Sequence, residues 1–154
     1  MTTHAGIRPQ AEDRAIVLTR TFDAPAALVF RMWTEPEHVA RWWGPQGFVT
    51  RVSAMDVRPG GRLAFRVRFP DGPEFALGGT YREVDPPRRL VHTWATDGDP
   101  VETTVSYDLR AELGATRIIL THVGFVDRVD SEQNDAGWRH QLDRLDALLQ
   151  TMVS

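Results

Sequence analysis

The stretch SEQNDAGWRHQLDRLDALLQTM, from Ser131 to Met152, carries the one long, clean helical period in the chain. Trp138, Leu142, Leu145, Leu149 and Met152 recur at intervals of four and three, with Leu148 beside them, and draw a continuous apolar stripe. Arg139, Asp143, Arg144, Asp146 and Gln150 fall on the opposite face. A helix patterned this way lays one side on an apolar layer and leaves the other in water. Ser131 followed by Glu132 marks its expected start. Gly137, a residue type that costs about 1 kcal/mol relative to Ala inside a helix, points to a close approach or a bend beside Trp138.

The apolar layer has to come from what precedes this helix, and that is mainly strand. From Phe48 to His122 the apolar period is two rather than 3.6. Phe48 to Val57 reads as a strand and Arg58-Pro59-Gly60-Gly61 as a tight turn, after which Leu63, Phe65, Val67 and Phe69 alternate with Arg62, Arg66 and Arg68. Pro70 to Pro73 turns again, and Glu74 to Val84 places Phe75, Leu77, Gly79 and Tyr81 on one face. Leu90, His92 and Trp94 share a face of the next strand; Val101, Thr103, Val105, Tyr107 and Leu109 share one after the 96–100 loop; Ile118, Leu120 and His122 share one between Thr116 and Val123.

Ahead of these strands, Arg14 to Phe22 is a run of β-formers that ends in Asp23-Ala24-Pro25. Asp23 is the expected cap of a short helix carrying Leu28, Val29, Met32 and Trp33, and Glu37 to Trp43 forms a second that ends at Gly44-Pro45-Gln46-Gly47. Strands joined by turns this short are antiparallel. The plan is α+β: a curved seven-stranded antiparallel sheet wrapped around a long C-terminal helix, with two short helices after the first strand.

A chain of 154 residues fits one domain, which at this size buries roughly 68–70% of its unfolded surface. We expect residues 13–154 to form it and residues 1–12, poor in apolar side chains, to be a flexible tail. The net charge of −3, with both signs interspersed, supplies neither a nucleic-acid footprint nor a polybasic membrane patch. With no cysteine, disulfides, thiolate nucleophiles and cysteine metal sites are excluded. Met1 to Asp13 lack the basic start and apolar run of a secretion signal, and no stretch approaches the ~20 apolar residues of a membrane span, so the expected location is the cytoplasm, without membrane insertion. HExxH, phosphate-loop and Gly-x-Ser-x-Gly patterns are missing as well, so no metal, cofactor or serine hydrolase site is expected.

Several strings together resemble a known family. They are Phe22-Asp23-Ala24-Pro25, Val29-Phe30, Trp33-Thr34, Pro36-Glu37-His38, Arg41-Trp42-Trp43-Gly44-Pro45, Asp56-Val57-Arg58-Pro59-Gly60-Gly61, Gly79-Thr80-Tyr81, Pro86-Pro87-Arg88-Arg89-Leu90, Thr121-His122-Val123-Gly124-Phe125 and Gly137-Trp138. In this order, over residues 14 to about 152, they resemble homologues of the activator of the ninety-kilodalton heat-shock chaperone ATPase, a family in the START-related, birch-allergen-like SRPBCC superfamily. The resemblance implies a helix-grip fold, usually with an apolar cavity between sheet and helix. It also implies a range of functions: superfamily members bind lipids, steroids or polyketides, some cyclise polyketides, and at least one type confers antibiotic resistance.

Trp33, Trp43, Phe65, Phe75, Tyr81, Trp94, Tyr107, Trp138 and Leu142 are the residues nominated to line such a cavity, against the simpler reading that they fill a core. Trp42-Trp43, beside the Gly-Pro turn, is expected at an entrance or lid. His92, His122, Tyr81 and Gln141 are nominated to orient a guest, and Thr103, Glu83 and Tyr107 also point inward in this pattern. An inward histidine beside a tyrosine or glutamate suits a general base, or equally a satisfied core hydrogen bond. The leading expectation is a protein that binds a small apolar or aromatic molecule, with no catalytic residue assigned. The alternatives are a polyketide cyclase-like or hydrolase-like enzyme using the same cavity, and a chaperone ATPase activator-like module that binds a protein through its outer surface. A homodimer contact at Trp42-Trp43 is a further partner reading.

Overall fold

The computed structural model describes residues 14–153, so the expected tail at 1–12 lies outside the described residues. Its strands are β1 (Ile16–Phe22), β2 (Val49–Met55), β3 (Arg62–Arg68), β4 (Glu74–Asp85), β5 (Arg89–Thr96), β6 (Thr103–Glu112) and β7 (Ala115–Val123). The helices are α1 (Ala26–Thr34), α2 (Pro36–Trp42) and α3 (Arg128–Val153). All seven strands form one antiparallel sheet in the order β1-β7-β6-β5-β4-β3-β2. The meander from β2 to β7 follows from its short turns. Because β1 pairs with β7, strands β1 and β2 occupy opposite edges, and α1 and α2 carry the chain from one edge to the other.

Two helix starts differ from the expectation. Asp23 caps nothing: Pro25, in extended conformation, is the residue ahead of α1, with no side-chain cap bond. Asp23 stands too early in the chain to reach the first free N–H groups of that helix. At α3 the start is three residues earlier than Ser131, because Asp127 Oδ1 accepts the Asp130 N–H at 2.8 Å, the bond of an N-cap residue to its third helical position. Ser131 is instead buried within the first turns.

The inner face of the sheet reads as the period predicts, except in β4 and at Phe69. A bulge between Tyr81 and Glu83 adds a residue, so Tyr81 stays inward opposite His92 while Val84 takes the next inward place opposite Leu90. Glu83 is thereby turned out to solvent, where it pairs with Arg89 at 3.1 Å. Upstream in the same strand, an added Cβ on Gly79 would lie 1.8 Å from the Thr93 carbonyl oxygen. Only glycine permits that approach of β4 to β5. Arg62, Arg66 and Arg68 form a solvated outer face, and Arg66 and Arg51 both pair with Glu74, whose carboxyl Arg66 holds below its usual range. Phe69, beyond the end of β3, is exposed.

The helical stripe of α3 is buried as patterned, with Trp138, Leu142, Leu145 and Leu149 all at or below 4% exposure. Each fully buried leucine stabilises the fold by about 1.5–3 kcal/mol relative to an exposed one. They pack with Val29, Met32 and Trp33 of α1, Val39 and Trp42 of α2, and the inner face of the sheet. Trp42 is therefore core and not a lid: it has no exposed surface, and its Nε1–H donates to the Met32 carbonyl at 2.9 Å. Its neighbour Trp43 is half-buried.

Candidate functional site

Among the described residues two spaces lie on the inner side of the sheet, one facing α3 and the other facing α1 and α2. The larger is a cleft of about 330 Å³ where β5 stops, β6 begins and β7 ends, facing the first turns of α3. Of the nominated residues, Trp43, Phe75, Trp94, His122, Trp138 and Gln141 border it. The smaller is a void of about 20 Å³ bordered by Trp33, Phe65, Tyr81, His92 and Tyr107, and also by Trp43 and Trp94. The Trp43 and Trp94 rings, 5.5 Å apart and edge to face, thus separate the two spaces. Leu142 borders neither, being 1% exposed within the core.

Backbone anchors hold Trp43 at the cleft. The Thr50 hydroxyl donates to its carbonyl at 2.7 Å. Arg144 of α3 donates to the Gly44 carbonyl and, at 3.2 Å, to that of Arg41, placing a cation at the C-terminal end of α2 where the helix dipole favours one. His140 Nε2 accepts the Gln46 N–H at 3.2 Å. These contacts tie the α2–β2 connection to α3.

Behind the rings runs a directed hydrogen-bond relay. Trp138 donates its Nε1–H to His122 Nδ1 at 3.0 Å. An indole nitrogen can only donate, so the imidazole proton of His122 is on Nε2, from which it goes to Thr103 Oγ1 at 2.7 Å. Thr103 in turn donates to the Trp94 carbonyl at 3.0 Å. His92 has the other tautomer: its Nδ1–H donates to the Thr93 carbonyl at 2.8 Å, and its Nε2 accepts the Tyr107 hydroxyl at 2.9 Å.

Burial pushes His92 down to about 4 against the opposing pull of the Thr93 carbonyl. It pushes His122 down to about 3, with His92 adding to the effect. The phenols of Tyr107 and Tyr81 are raised, again by burial first. Both imidazoles are thus neutral, and neither presents a free lone pair to a guest. A general base needs one, so the relay shapes and orients the cleft wall.

Phe125, Gly137, Asp99, Asp130 and Asn134 also border the cleft, beyond the residues that the sequence pattern assigns to a cavity. Phe125, whose ring centroid is 4.5 Å from that of His122, lies in one of the strings that carried the family resemblance, which was its available signal. Gly137 has nothing within 4 Å of an added Cβ. The expected close approach is absent, and the missing side chain leaves cleft space instead. Asp99 and Asp130 carried no sequence signal, since loop and first-turn aspartates are common for local reasons.

Away from the cleft, the donor atoms of Glu35, Glu37 and His38 come within 4.8 Å of one another at the start of α2. No metal-ligand spacing pattern in the sequence marks this group. Glu35 there already pairs with Arg31 at 3.2 Å and with half-buried His38 at 3.1 Å. Among the described residues no helix is long and apolar enough to cross a membrane.

The family described as activator of Hsp90 ATPase homolog 1-like protein matches residues 23–150. Among solved structures, a protein from Chromobacterium violaceum is 30% identical, over 88% of this chain and 96% of its own, with a TM-score of 0.82. CalU16 from Micromonospora echinospora is 27% identical over 85% of this chain and 73% of its own, with a TM-score of 0.67. DynU16, a protein in the dynemicin biosynthetic locus, is 27% identical over 90% of this chain and 48% of its own, with a TM-score of 0.72. No curated protein matches the chain.

Proposed function

Since the chain belongs to the family of activator of Hsp90 ATPase homolog 1-like proteins, and a fold by itself chooses no activity, we propose from its cleft that it binds a small, mainly aromatic molecule between the sheet and α3. The observation that carries this reading is the cleft itself. Its volume of about 330 Å³ falls in the range of small-molecule sites, which combine apolar walls with a few placed polar groups. Here tryptophan and phenylalanine rings supply the apolar walls, His122 and Thr103 are held by a relay that is complete before any guest arrives, and Gln141, Asp99 and Asp130 are polar groups outside that relay. Affinity would come from apolar area removed from water, at about 25 cal/mol per Å² less the cost of association. The similarity to DynU16, a protein in a biosynthetic locus, fits a small-molecule guest.

Native mass spectrometry of the protein purified from its own host, compared with the same sample after denaturation, tests the reading. The expected result is an extra mass that leaves on unfolding and is lost in Gly137→Leu, a variant that fills the cleft. No such mass, together with tryptophan fluorescence unchanged by added naphthalene probes, overturns it.

A further inference from the structure

We propose that the guest of this cleft bears a hydrogen-bond donor on its aromatic body, foremost a protonated amine, and that anionic guests are disfavoured. The inference rests on the reading of the cleft as a binding site and adds the polarity of what it takes.

The first observation is charge. Asp99 in the β5–β6 connection and Asp130 in the first turns of α3 both border the cleft, and among the described residues no lysine or arginine does. A helix N-terminus would ordinarily favour an anion, but that of α3 is already capped by Asp127 and carries Asp130. Arg128 lies outside the lining.

The second observation is an acceptor without a donor. Gln141 is 8% exposed, borders the cleft, and its Oε1 has no hydrogen-bond partner. That oxygen is closed off from bulk solvent, so a guest meets it by entering the cleft, the soft last torsion of the side chain turning the amide towards it. Three of the neighbouring donors are engaged within the protein: Trp138 on His122, His122 on Thr103, Thr103 on the Trp94 carbonyl. The third observation is the rings themselves, because tryptophan faces attract a cation held within about 6 Å, and Trp43, Trp94 and Trp138 all border the cleft.

The test titrates four probes that share one ring system: 1-naphthylmethylamine, 1-naphthalenemethanol, 1-naphthoate and 1-ethylnaphthalene. Calorimetry or NMR shifts of the cleft residues read the affinities for the native protein, for Asp99→Asn/Asp130→Asn and for Gln141→Leu. The amine is expected to bind about tenfold more tightly than the carboxylate, from two exposed carboxylates that attract one and repel the other. That gap should close in the double variant and shrink at high salt. Asn at 99 keeps the acceptor used by the Val101 N–H. Gln141→Leu should weaken the amine and the alcohol by about threefold to tenfold without weakening 1-ethylnaphthalene, whose retained binding reports that the cleft is intact. Equal or tighter binding of the carboxylate, or a gap that survives the double variant, overturns the charge preference while the cleft remains a binding site. If none of the four binds, the binding reading itself falls and this inference with it.

Discussion

Trp138 on the terminal helix and His122 on the last strand are joined by a single bond, indole Nε1–H to imidazole Nδ1 at 3.0 Å. It couples α3 to the sheet, sets the tautomer of a buried histidine, and places both rings on the cleft wall.

Trp138→Phe keeps an aromatic ring and deletes the donor. His122 Nδ1 is then a buried acceptor with nothing to accept, so a loss of about 1–3 kcal/mol is expected in denaturant unfolding. An NMR titration should show the His122 value rising from about 3, because a proton on Nδ1 no longer faces an opposing N–H. If stability and titration both stay put, the bond contributes nothing. Trp138→Ala, by contrast, removes a ring that is 4% exposed and should cost about 3–5 kcal/mol, so fold and binding would fall together.

The two histidines make stability depend on pH. In the fold they titrate at about 4 and about 3, against about 6.5 in an unfolded chain. Below pH 6.5 the unfolded chain takes up protons that the folded one refuses. Stability is therefore greatest above about 6.5 and declines from there down to about 3, by an amount on the order of a few kcal/mol. Urea midpoints at stepped pH check this, and His92→Gln should flatten part of the decline. A flat profile between pH 7 and 4 would contradict the burial argument.

Gly137→Ala and Gly137→Leu should separate stability from binding. Both remove the helix cost of glycine, for a gain of about 1 kcal/mol with Ala, and nothing within 4 Å opposes the new Cβ. Only the larger side chain reaches across the cleft. Thermal unfolding should rise or hold for both, whereas retention of the co-purified guest should fail for Leu.

Gly79→Ala is expected to behave in the opposite way. The added methyl would meet the Thr93 backbone oxygen at 1.8 Å, and backbone on both strands must move. A loss of about 1–3 kcal/mol or more, read by denaturant unfolding, is the expected outcome. A neutral result would mean that β4 and β5 can part locally without cost.

The legible part of the fold was periodic. Leu142, Leu145 and Leu149 in one helix, and Leu63, Phe65 and Val67 in one strand, repeat at spacings that only one regular structure can bury on a single face, and all six are buried. Glu83 and Asp23 were misread where a single residue changes the count: a bulge turned the first outward, and the extended Pro25 stands between the second and its helix. Trp42 and Trp43 are adjacent and chemically alike, yet one is core and the other borders the cleft. The helix ends at Trp42 and Trp43 is already extended, so the two side chains leave the backbone towards different surroundings, which composition does not record.

From the sequence alone came the α+β class, the seven strands, the terminal helix and the set of inward rings and imidazoles, because each depends on the period of one segment. The tertiary structure alone decided which of those residues face open space, since that depends on where segments distant in sequence stop. Asp99 and Asp130 border one cleft because the β5–β6 connection and the first turns of α3 meet there. His122 is bound on both sides because Trp138 and Thr103 arrive from α3 and β6. No spacing along the chain contains those distances.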